Sequence, residues 1–84
     1  MKNTTIFNLQ NFDEQQGEIV LQHKLYGTQK IIGIIHIIND EEKLGVRIKD
    51  QEIFLWKDEI VEVEINEQTC SVYGEIMCIY LTKT

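Results

Sequence analysis

Between residues 50 and 67 the chain carries Asp50, Glu52, Asp58, Glu59, Glu62, Glu64 and Glu67, opposed only by Lys57. That stretch alone holds a formal charge of −6, as large as the net charge of the whole chain. Carboxylates so concentrated do one of two things. They solvate a face and keep an apolar protein in solution, or they meet a basic partner, such as a nucleic-acid-binding protein whose ligand they imitate. Complementary charge of that sort chiefly speeds association and selects partners. No metal is expected there, because the carboxylates show neither the glycine turn nor the ligand spacing of a calcium loop.

The remaining polar chemistry is sparse. Lys24, Arg47 and Lys49 could hold an anionic small ligand or nucleotide, helped by aromatic stacking. Phe54 and Trp56 alternate with Ile53 and Leu55, so they share the opposite face of a strand. A small core needs bulk, and at least one of the two is expected inside. Exposed, they would anchor an interface, as aromatics do in binding hot spots. His23 and His36 have no second ligand at a recognised interval. Cys70 and Cys78 sit among negative charge, which raises a thiol pKa and makes a poor nucleophile. No catalytic residue and no cofactor are expected.

The elements that must position these groups are strands. Isoleucine dominates the apolar residues while Ala and Pro are absent, which disfavours helix and suits a pleated surface. Residues 18–26 form a first strand with Ile19, Leu21 and Leu25 on one face, and Gly27 and Thr28 supply the turn. Residues 30–38 are apolar on both faces: Ile31, Gly33, Ile35 and Ile37 on one, Ile32, Ile34, His36 and Ile38 on the other. Such a strand is covered on both sides, by strong bending, by the N-terminal segment or by a second subunit, and Gly33 marks a sharp bend or a close backbone approach.

Past the charged loop at 39–43, Leu44, Val46 and Ile48 point inward while Gly45, Arg47 and Lys49 point out. Strands follow over 52–57 and 58–65, the latter setting Val61, Val63 and Ile65 against Glu62 and Glu64. Residues 70–82 are one long strand or a pair broken at Gly74. Upstream, Asn8 as N-cap, Phe7 with Phe12 as a hydrophobic staple and Gly17 as a stop predict a helix over 9–16.

Five or six short strands at intervals of roughly ten residues predict an all-β fold, a small SH3-like or Sm-like barrel. Residues 1–17 make an arm or short helix, and 18–84 the barrel domain. The acidic charge, with a pI near 4.7, has the wrong sign for wrapping nucleic-acid phosphates. No apolar run reaches the length of a membrane span, and no signal-peptide layout opens the chain, so the expected location is the cytoplasm. Two cysteines are too few for a disulfide framework. The missing Ala and Pro suggest AT-rich coding, as in a low-GC bacterium or its phage.

Two resemblances meet in the middle of the chain. Ile32-Gly33-Ile34-Ile35-His36-Ile37-Ile38, followed by Leu44, Val46, Ile48, Ile53 and Asp58-Glu59-Ile60-Val61-Glu62-Val63, resembles the C-terminal β region of the YolD-like family. The likeness covers about residues 29–65 and lacks the family's N-terminal signature. It implies accessory work beside error-prone DNA polymerases. A short N-terminal helix, five bent strands, Gly33 in mid-strand and an acid at Asp40 also resemble, in outline, the first signature of Sm-like barrels. Glu62-Val63-Glu64-Ile65 stands where the second, RNA-binding signature would be, which implies the barrel without the RNA site.

The expected function is therefore non-enzymatic: an adaptor or inhibitor, self-associating as a homodimer or larger ring, that contacts a basic protein through the acidic face. The alternatives are an oligomeric barrel holding a small ligand or nucleotide at a subunit interface, and an Sm-like RNA binder.

Overall fold

A computed structural model of the chain describes residues 9–84. It is all-β: seven antiparallel strands form one sheet in the order β4-β3-β2-β1-β7-β6-β5. They are β1 (Gln15–His23), β2 (Gly27–Asn39), β3 (Lys43–Ile48), β4 (Gln51–Trp56), β5 (Ile60–Ile65), β6 (Thr69–Gly74) and β7 (Met77–Lys83). Single 3-10 turns occupy Gln10–Phe12 and Lys57–Glu59.

Every consecutive pair except β4 and β5 is an antiparallel ladder, and β1 also pairs antiparallel with β7. Reversal at every connection would leave β1 and β7 parallel. One connection therefore keeps the chain's direction, and it is the 3-10 turn Lys57–Glu59, a corner rather than a hairpin. The hydrogen-bonded sheet is open between β4 and β5, and the chain crosses that opening covalently.

The sheet is strongly curled. Its extents are 31 × 27 × 20 Å, and the smallest is about twice the ~10 Å between packed sheets. Ile19, Ile31, Ile35, Leu44, Val46, Ile48, Leu55, Val72, Ile79 and Leu81 line the concave side as one core. β2 makes the curl by serving two partners: residues from Gly27 to Ile35 pair with β1, and from Ile35 onward with β3.

Several expectations need correction. The helix over 9–16 is replaced by the 3-10 turn and the start of β1 at Gln15; Asn8 and Phe7 lie outside the described residues. Gly17 is needed inside β1, because a side chain there would strike the Thr82 carbonyl and Ile35. Leu9 and Phe12 are buried in the core, and Ile37 N–H donates to Asp13 Oδ1 at 2.8 Å, tying this segment to β2.

The first turn comes earlier than Gly27 and Thr28. β1 ends at His23, whose Nδ1 accepts from Leu25 N–H at 3.0 Å and Tyr26 N–H at 3.3 Å, so Leu25 is exposed at a hairpin tip rather than facing inward. Residues 70–82 divide at Gly74, which raises the strand number to seven. In β5 a register shift between Ile60 and Glu62 turns Ile60 toward the core and leaves Val61 70% exposed, contrary to its expected place with Val63 and Ile65.

Candidate functional site

Across β3, Leu44, Val46 and Ile48 are buried and Arg47 is exposed, as expected, but Gly45, expected outward, is buried beneath β4. The β3–β4 hairpin fixes the outer face of this region. Gly45 lies opposite Phe54, Arg47 opposite Glu52 and Lys43 opposite Trp56. Phe54 and Trp56 are therefore both on the outside, and neither is in the core. The face that opposes them is taken by Ile53 and Leu55, which are buried. Phe54 is half-buried, and Trp56 is 45% exposed. Their rings meet edge to face at 5.2 Å, a favoured aromatic geometry.

The seven carboxylates of residues 50–67 lie along one continuous path. Asp50 is in the β3–β4 turn, Glu52 on β4, Asp58 and Glu59 on the corner turn, Glu62 and Glu64 on β5, and Glu67 in the β5–β6 turn. All seven are exposed. The one ion pair among the described residues, Lys30 with Glu18 at 3.5 Å, involves none of them. Glu64 Oε1 accepts from the Tyr73 hydroxyl at 2.8 Å, and that bond raises the tyrosine pKa.

Three carboxylates of the charged loop between β2 and β3 belong beside them. Trp56 borders a shallow depression of about 440 Å³ lined by Asp40, Glu41, Glu42 and Lys43. A second depression of about 310 Å³ shares Glu41, Glu42 and Trp56 with it and adds Lys57 and Asp58. The charged loop is held in shape by Asp40, whose Oδ1 accepts from the N–H of Lys43 at 2.9 Å and of Glu42 at 2.8 Å. Those bonds hold its carboxyl below the usual pKa. The register Lys43 opposite Trp56 is the signal that could have joined this loop to the tryptophan.

Lys24, Arg47 and Lys49 are all exposed, but they belong to separate elements: the β1–β2 turn, β3 and the β3–β4 turn. The cleft beside Lys24 is lined by Gln22, His23, Gly27, Thr28, Gly74, Ile76 and Cys78, without Arg47 or Lys49. His36 is half-buried opposite Arg47. Cys70 is buried, which pushes its thiol up to about 12. Cys78, half-buried, points to the other side of the sheet, and both are free thiols. No group of three or more His, Cys, Asp or Glu among the described residues is placed to hold a metal ion, and no helix among them is long and apolar enough to cross a membrane.

Set against known proteins, the chain matches no family model, no curated protein and no solved structure.

Proposed function

We propose that the chain is a non-enzymatic binding protein, an adaptor or inhibitor, whose acidic path along β4, the corner turn and β5 contacts a basic protein partner. One observation carries this reading: seven exposed carboxylates follow one another along a single run of chain with no ion pair among the described residues to neutralise them. A face meant only for solubility needs no aromatic group, yet the exposed Trp56 stands beside Asp58, Glu41 and Glu42. Calorimetric titration with a basic probe protein such as lysozyme tests the reading. Binding that weakens as salt rises, and weakens again in Glu62→Gln/Glu64→Gln, supports it; affinity indifferent to both removes it.

In fold terms the same reading takes the curled sheet as an SH3-like or Sm-like barrel in which β4 and β5 are one strand bent at the corner. Support comes from the packing of Leu55 on β4 against Gly74 at the end of β6. RNA binding gains no such support, because the exposed Glu62 and Glu64 occupy the segment that would have to meet phosphate. Self-association is a separate proposal, favoured by Ile32 and Ile34, which are 50% and 44% exposed on the outer face of β2. Sedimentation of Ile32→Ser/Ile34→Ser as a smaller species than the parent chain would bear it out.

A further inference from the structure

The opening between β4 and β5 leaves two strand edges, and they differ. Lys57 N–H donates to Glu42 C=O at 2.7 Å. Alternation along an antiparallel ladder then directs the backbone groups of Gln51, Ile53 and Leu55 toward β3. Those of Glu52, Phe54 and Trp56 turn to the free edge, where no backbone partner is found among the described residues. β5 is interrupted by its register shift at Ile60/Glu62, the kind of irregularity that blunts an edge. β4 has an unbroken register over its six residues and carries the aromatic pair.

We propose that β4 takes up an extended segment of a basic partner as an added strand, one of whose Arg or Lys side chains lies on Trp56 among Glu41, Glu42 and Asp58. The inference rests on the acidic-face reading and names how that face is used. Backbone pairing along a sheet edge supplies affinity, and alternate side chains supply selectivity. Residues directly opposite Glu52, Phe54 and Trp56 share their outer face, so the basic side chains sit on the residues that make the backbone bonds. A guanidinium or ammonium over an indole face is attracted by the ring and by the carboxylates around it. The edge of a second copy's β5 fits less well, because Glu62 and Glu64 would come alongside Glu52 on the same face.

The probe is the peptide acetyl-Arg-Val-Arg-Val-Arg-Val-amide, followed by fluorescence of the single tryptophan and by calorimetry on the full chain. Methylating the arginine amide nitrogens removes the bonds to β4 and is expected to weaken binding by about tenfold or more. Methylating the valine nitrogens, which face away, is expected to change it less than about twofold. Equal binding by all three peptides overturns strand addition and leaves the acidic-face reading standing. So does failure of the peptides where lysozyme still binds. If neither lysozyme nor the peptides bind, both readings fall.

Discussion

The ammonium of Lys43 stands 4.7 Å from the centroid of the Phe54 ring, and the same lysine lies opposite Trp56 in the β3–β4 register. The aromatic pair thus already receives one cation from within the chain, on the same outer face that carries the carboxylates. Replacing Lys43 by Gln removes that contact and one positive charge together. Denaturant unfolding should show a loss of about 0.5–1 kcal/mol, while affinity for a basic probe rises. A rise in stability together with weaker binding would contradict this arrangement.

Gly45 lies beneath Phe54. A methyl group there would collide with the Ile53 carbonyl and the Phe54 Cα, both backbone atoms of β4 that cannot rotate away. Gly45→Ala should therefore cost about 1–3 kcal/mol and lower the melting temperature by about 4–8 °C for each of them. Binding at β4 should weaken with it, since the strand has to shift. An unchanged melting temperature would mean that β3 and β4 are not so closely apposed.

At alkaline pH, stability should fall. Burial pushes the Cys70 thiol up to about 12, and the bond to Glu64 raises the Tyr73 hydroxyl. Groups with raised folded-state pKa values contribute stability that is intact below their unfolded values and is lost as pH rises through the folded ones. For the thiol, that window opens above its ordinary value of 9.0 and extends to about 12. Melting temperatures measured through this window should decline. The native protein should expose at most one thiol, that of Cys78, to a disulfide reagent, and both after unfolding. Rapid native labelling of two thiols would contradict the burial of Cys70.

The acid limb has its own marker. Asp40 is held below its usual pKa by the N–H groups of Lys43 and Glu42, so its contribution is present above the unfolded value of 3.8 and is lost as pH falls through the folded one. Asp40→Ala should flatten that limb and loosen the loop beside Trp56, read as a shift in tryptophan emission. An unaltered spectrum would separate the loop from the tryptophan.

Strand content was legible throughout, and inward faces were legible in β3, where Leu44, Val46 and Ile48 stand against Arg47; in β5 the same kind of alternation misled at Val61, because the register shift between Ile60 and Glu62 turns it outward. Where both faces are apolar the pattern is silent about direction. Ile53 and Leu55 could have exchanged roles with Phe54 and Trp56, and only the hairpin register decides between them. The early turn after His23 depends on a ring nitrogen accepting two backbone N–H groups, which spacing does not reveal. The helix over 9–16 gives way at Asp13 and Glu14, where the backbone turns extended and then through a positive φ while both residues bond to β2, a long-range tie that spacing does not show. The acids of residues 50–67 were visible as a run. Asp40, Glu41 and Glu42 join them only because β3 folds back on β4.

Stopped-flow measurement of the association rate with lysozyme, as ionic strength is raised, probes most directly the claim that exposed carboxylates recruit a basic partner. The rate constant is expected to fall by about tenfold or more between roughly 20 and 200 mM salt, and Glu62→Gln/Glu64→Gln should flatten that slope. A rate that is level across the series, and equal in the parent chain and the neutralised variant, would contradict the account.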